Sequence, residues 1–156
     1  MQDVVQRLNF LKDENANPED ITWNEAVNTT FGNFIHPELK LDNGDWLIPV
    51  QQSTSLVQIM ASSNQGKTWA QKTTVTINPD NKTSHECQMV QFSDGTIWLL
   101  ARIDSGVRGG IEKWVSYDNG KSFFNHEDSM DAPLCGPGSK FSILRLPSGM
   151  VILANT

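Results

Sequence analysis

Glu86 and Arg102 are the residues whose types and spacing most invite chemistry. They flank an Asp-Gly turn, in the run His85-Glu86-Cys87-Gln88-Met89-Val90-Gln91-Phe92-Ser93-Asp94-Gly95-Thr96-Ile97-Trp98-Leu99-Leu100-Ala101-Arg102. Asp-Gly between apolar runs is a strong short hairpin signal, because such a turn needs positive φ. A hairpin there sets the carboxylate and the guanidinium on neighbouring strands, at the end away from the turn. A guanidinium matches a carboxylate ligand bidentately. The same placement also describes a plain salt bridge across the hairpin, and the two readings stand side by side. Arg108, in the loop Ser105-Gly106-Val107-Arg108-Gly109-Gly110, is a further candidate for the same end, with a solvated loop charge as its alternative. His36 and His85 stand at the starts of inner strands and read as polar lining or as ordinary half-exposed histidines. No phosphate loop, Ser-His-Asp arrangement or metal-ligand spacing is present, so no metal or other cofactor is expected.

An internal repeat positions these residues. Leu41-Asp42-Asn43-Gly44-Asp45-Trp46-Leu47-Ile48, Phe92-Ser93-Asp94-Gly95-Thr96-Ile97-Trp98-Leu99 and Leu146-Pro147-Ser148-Gly149-Met150-Val151-Ile152-Leu153 share one pattern, with glycines 51 and 54 residues apart. A second motif interleaves with it. Ser62-Ser63-Asn64-Gln65-Gly66-Lys67-Thr68-Trp69 and Ser116-Tyr117-Asp118-Asn119-Gly120-Lys121-Ser122-Phe123 both read S-x-[DN]-x-G-x-[ST]-[WF], again 54 residues apart. In each box the Asn64 or Asp118 side chain is expected to accept N–H groups of its own turn. Gly66 or Gly120 supplies the left-handed conformation, and Trp69 or Phe123 packs beneath. Two hairpins in just over fifty residues make four strands, and a four-stranded unit at that period is a propeller blade. The expected division is 35–85 and 86–138 as complete blades, 139–156 as the inner hairpin of another, and 1–34 as the outer part of a preceding one. Val4, Leu8 and Leu11 have helical spacing, which leaves a short helix open near the start. Aligned on the hairpin glycines, Glu86 corresponds to Ile35 and Lys140, and Arg102 to Gln51 and Thr156, so the charge pair is peculiar to one repeat. Trp46 and Trp98 are expected in the core, and Arg145 between blades.

Composition excludes several classes. With 18 acidic against 12 basic residues and a net charge of −6, the chain lacks the basic face that nucleic acid requires. No apolar run reaches the length of a membrane span, and the start lacks the basic head and apolar stretch of a signal peptide. Charged residues are 19%, too few for a coiled coil or a charged disordered tail. Cys87 and Cys135 have no CxxC partner and read as two thiols.

The two boxes resemble the Asp-box, or BNR repeat, of the sialidase superfamily of β-propellers. With the glycine hairpins the resemblance covers about residues 17–156. The run from His85 to Arg102 is similar to the sialidase stretch in which Glu-x-Gln opens an inner strand, an Asp-Gly hairpin follows, and the next strand ends in Arg. The run from Cys135 to Gly149 resembles the start of the following blade. The resemblance implies a six-bladed propeller, about three blades of it present, and an exo-α-sialidase that removes terminal sialic acids from glycans. It implies that Glu86 activates a tyrosine nucleophile, that Arg102 belongs to an arginine triad holding the sugar carboxylate, and that the boxes are structural. The family is commonly exported, although the compartment of this protein stays unassigned. Two other readings share the scaffold: a non-catalytic propeller that binds a glycan or a protein, and a lyase or glycosidase for another acidic sugar.

The departures shape the expectation. The one tyrosine, Tyr117, lies inside a box turn, away from the ligand end. No aspartate takes the acid/base role: Asp45 and Asp94 belong to hairpin turns, Asp118 to a box, and Asp104 is a weak loop candidate. At 51 to 54 residues per blade the chain reads as a partial domain, inactive on sialosides by itself, or one that pairs with another copy to close its ring.

Overall fold

The computed structural model describes residues 4–5, 27–28, 37–77, 83–104, 110–125, 134–135 and 140–155. The chain divides into two compact units, Met1–Gly32 and Asn33–Thr156. In the first, β1 (Val4–Val5) pairs antiparallel with β2 (Val27–Asn28). Val4 is therefore extended rather than helical, and Leu8 and Leu11 lie outside the described residues.

The second unit is built from antiparallel meanders. One four-stranded sheet runs in chain order through β3 (Leu39–Lys40), β4 (Trp46–Gln51), β5 (Leu56–Ser62) and β6 (Ala70–Thr76). The next runs through β7 (Thr83–Gln91), β8 (Ile97–Asp104), β9 (Gly110–Ser116) and β10 (Phe124–Asn125). The short β11 (Leu134–Cys135) also pairs with β9. A last hairpin joins β12 (Phe141–Arg145) to β13 (Val151–Asn155). The described residues are all-β, with no helix. None of them forms a helix long and apolar enough to cross a membrane.

The three glycine turns that mark the repeat are one structure used three times. Gly44, Gly95 and Gly149 adopt φ of +91°, +88° and +86°. Each donates its N–H to the residue three before it, at 2.9, 3.0 and 2.9 Å. Leu41, Phe92 and Leu146 in turn each donate to the residue four ahead, at 2.8 Å in all three. Left-handed φ costs an L-residue roughly 1 kcal/mol or more, which glycine avoids.

Strand alternation explains how the sheets stack. In the second sheet Cys87, Met89, Ile97, Leu99, Ala101 and Ile103 point one way and form one core with Leu47, Val57, Ile59 and Val75 of the first sheet. Val90, Leu100 and Ile111 point the other way and pack with Phe141 and Ile143 of the last hairpin. The middle sheet is thus buried on both faces, with β3 and β4 against β7 on one side and β12 against β7 on the other. Leu47, Ile59, Ile97, Leu99 and Leu100 are completely buried, and each such side chain contributes about 1.5–3 kcal/mol. Trp46 and Trp98 are half-buried rather than fully enclosed: Trp98 packs on the core shared with the last hairpin, and Lys40 Nζ lies 4.6 Å over the Trp46 ring and Lys113 Nζ 4.5 Å over the Trp98 ring. Indole area that the strand faces cannot fully cover is capped by an ammonium. Trp114 is buried in the core between the first two sheets.

Candidate functional site

The β7–β8 ladder runs in register from Gln91↔Ile97 to Cys87↔Ala101, then shifts between Cys87 and Ser84. Glu86 sits at this irregularity and Arg102 opposite it. A bulge at a strand end re-aims a side chain, and here the two charged groups meet: Arg102 Nε donates to Glu86 Oε2 at 2.5 Å. The side chains are 12% and 11% exposed respectively. Register also pairs Arg102 with Ile111, whose side chain packs with Leu100, Phe141 and Ile143. The sequence therefore brings the predicted pair together on the face turned towards the last hairpin.

Charge-assisted hydrogen bonds of this kind are about twice as strong as neutral ones, and losing one partner of a nearly buried pair is costly. A second carboxylate reaching Arg102 would compete with Glu86 for the guanidinium. Next in the strand, Cys87 is a buried thiol. Burial, and then the Glu86 charge beside it, push its pKa up to about 12, so it stays protonated and unreactive at neutral pH.

The tyrosine and three of the aspartates lie at the other end of the sheets. Ser116 pairs with Ile97 and Ile111 with Arg102, so Tyr117 begins the turn six strand positions from the level of Arg102, roughly 20 Å away along the sheet. Tyr117 is 67% exposed there. Asp45, Asp94 and Asp118 occupy the same end, where Asp94 accepts from its own turn at Thr96 N, at 2.9 Å. Asp104 is at the end that carries Arg102, its backbone paired with Thr83. Arg108 and His36 lie outside the described residues, as do the side chains of His85 and Cys135. Lys140, the counterpart of Glu86 in the last repeat, is exposed. Among the described residues no three of His, Cys, Asp and Glu are grouped to hold a metal ion.

The two boxes fold into the same turn. Ser62 Oγ donates to Asn64 Oδ1 at 2.9 Å and accepts Gly66 N–H at 2.8 Å. Ser116 Oγ donates to Asp118 Oδ1 at 2.8 Å and accepts Gly120 N–H at 2.9 Å. Asn64 Oδ1 accepts Thr68 N–H, and Asp118 Oδ1 accepts Lys121 and Ser122 N–H, all within 3.0 Å. Trp69 closes its turn by donating Nε1–H to Gly66 O at 3.1 Å, while Phe123 packs on the core. Partial desolvation opposes ionisation of Asp118, but the bonds from Ser122, Ser116 and Lys121 outweigh it and hold its pKa near 2. The bonds that Ser62, Asn64, Ser116 and Asp118 make here all stay within their own turns.

Residues that sequence reasoning passed over tie the repeats together. Gln88, 7% exposed, accepts Ile143 N–H through Oε1 at 2.8 Å. Gln91, 3% exposed, accepts Asp42 N–H at 2.8 Å and donates to Gly95 O at 3.3 Å. Arg145 does face another repeat: its Nη1 lies 3.4 Å from both carboxylate oxygens of Asp42. The signal for the glutamines was their place on a buried apolar strand, where an amide needs designated partners.

No protein-family model matches the chain, and no curated protein matches it. Among solved structures it is similar to a protein of unknown function from Dyadobacter fermentans DSM 18053, at 20% identity and a TM-score of 0.62. The match covers 85% of this chain and 40% of that one. The chain therefore spans about two fifths of the length of that neighbour and shares its fold.

Proposed function

We propose that this chain forms part of a sialidase-like glycoside hydrolase. The carrying observation is the Glu86–Arg102 contact, a carboxylate and a guanidinium set at a bulge on the first two strands of one repeat, where the other repeats have Ile35 and Gln51, or Lys140 and Thr156. In this reading each four-stranded sheet is a propeller blade, and the ends opposite the glycine turns ring a central mouth. Arg102 takes the carboxylate of an acidic sugar, and Glu86, freed from Arg102 by that exchange, polarises the nucleophile. A substrate with a carboxylate beside its anomeric carbon repels an Asp or Glu nucleophile, so a neutral hydroxyl activated by a carboxylate suits it, an exception to the two-carboxylate scheme. Tyr117 is at the far end of the sheet, so the reading draws its nucleophile from beyond these 156 residues.

The direct contact also favours a second reading, in which Glu86 and Arg102 neutralise each other as a cross-hairpin strut and the fold binds a glycan or protein without turnover. A substrate panel separates the two. The product of the whole reading frame is incubated with a fluorogenic sialoside, a glucuronide and a neutral galactoside. Release from the sialoside alone is expected. Release from the glucuronide alone moves the assignment to another acidic-sugar enzyme. Binding to a glycan array with no release from any substrate favours the binding module.

A further inference from the structure

Two residues beyond Glu86, Gln88 lies on the same face of the middle sheet, opposite Leu100. It is buried, and its Oε1 accepts Ile143 N–H from the last hairpin at 2.8 Å. Phe141, two residues before Ile143 in β12, is buried on the same side and packs with Leu100 and Ile111. Leu100 stands two residues before Arg102 in β8, and Ile111 stands opposite Arg102 in β9. The other end of β12 fixes its direction. Arg145 reaches Asp42, whose N–H goes to Gln91 at the turn end of β7. β12 therefore runs alongside β7 with Phe141 at the Glu86–Arg102 end. Apolar packing between these strands is non-directional and leaves their relative height open. A buried hydrogen bond, with its narrow range of length and angle, does not.

We propose that Gln88 is a positioning residue for the Glu86–Arg102 pair. By pinning Ile143 it sets the height at which Phe141 covers the strand neighbours of Arg102. That cover keeps water from the guanidinium and holds it along the bond from Nε to Glu86 Oε2. A charge-assisted bond strengthens as water is excluded, so a displaced Phe141 loosens it. Gln91 offers a comparison within the same strand. Its amide is also buried, but it pairs with Ile97, on the face turned to the first sheet, and is tied there to Asp42. An amide that only stabilises the fold would act alike at either place. The effect of Gln88 on turnover rests on the glycosidase reading, and its effect on the ion pair does not.

The test compares Gln88→Met with Gln91→Met in the product of the whole reading frame, carrying isotope-labelled arginine for NMR. The Arg102 Nε–H signal is assigned by its loss in Arg102→Lys. Its exchange with solvent is expected to speed up ~10-fold in Gln88→Met and less than ~2-fold in Gln91→Met. On a fluorogenic acidic-sugar substrate, kcat/KM is expected to fall ~10-fold or more in Gln88→Met and to stay within ~2-fold in Gln91→Met. Gln88→Asn keeps an amide but reaches one methylene less far, and is expected to match Gln88→Met, so it carries the test where the methionine variant does not fold. Equal exchange rates in the Gln88 and Gln91 variants overturn the proposal. In an active enzyme, faster exchange with an unchanged kcat/KM overturns it as well. A wild type that releases no acidic sugar overturns the glycosidase reading alone, and the exchange rates then decide the role of Gln88.

Discussion

Gly120 lies at the centre of the second box, and replacing it by alanine measures how tightly that turn is clamped against the neighbouring sheet. Its φ is +79°, and a methyl group built there would stand 2.8 Å from Leu47 Cδ1. Leu47 belongs to the first sheet and is completely buried, so it has no solvent into which to swing. Two costs combine. The left-handed backbone costs about 1 kcal/mol for an L-residue, and overpacking a filled core costs about 1–3 kcal/mol more. Gly95→Ala provides the internal control, because its φ is +88° and nothing lies within 4 Å of the added methyl. The expected result in urea denaturation is a loss of about 1 kcal/mol for Gly95→Ala and about 2–4 kcal/mol for Gly120→Ala. A Gly120→Ala/Leu47→Val double variant should recover part of the difference, since it shortens the opposing side chain. Equal losses at the two glycines would refute the claim that the box turn is packed into the sheet interface.

Three further outcomes follow from the hydrogen bonds and the ion pair. The Asp118 carboxyl is held at about 2, below its ordinary 3.8. Its contribution is therefore fully present above pH 3.8 and is lost as pH falls through 2. At this half-exposed turn it amounts to about 1–2 kcal/mol, and Asp118→Asn should flatten that part of the stability–pH curve. Gln88→Leu leaves Ile143 N–H without its acceptor inside the sheet interface, and should cost about 1–3 kcal/mol by thermal or chemical denaturation. Arg102→Met leaves a carboxylate that is 11% exposed without its guanidinium, and should cost about 3 kcal/mol. Combining it with Glu86→Leu should recover at least half of that loss, as a double-mutant cycle would show.

Much of this architecture was legible from turn chemistry. Gly44, Gly95 and Gly149 mark three identical hairpin turns because left-handed φ restricts the residue type so strongly. Ser62, Asn64 and Gly66, with Ser116, Asp118 and Gly120, specify their turns through bonds that are local in sequence. The meeting of Glu86 and Arg102 followed from hairpin register alone. Less was visible wherever partners are far apart in the chain. Gln88 and Ile143 are 55 residues apart, and Asp42 and Arg145 are 103 apart. Their place on a buried apolar strand marks these amides as needing partners, but not which partners they find. Trp46 and Trp98 are less enclosed than expected for a related reason: hydrophobic alternation assigns a face but not how far a neighbouring sheet covers it. Here Lys40 and Lys113 share that covering.

The glycosidase reading depends on one carboxylate. In the product of the whole reading frame, Glu86→Gln retains an oxygen able to accept from Arg102 Nε, so the local contact survives while the negative charge does not. Initial rates on a fluorogenic sialoside, with wild type and variant matched by circular dichroism and thermal midpoint, test the charge by itself. A fall in kcat of ~10²-fold or more is expected, the usual scale of a lost acid–base group, with KM changed much less. A wild-type rate that Glu86→Gln leaves untouched would contradict it.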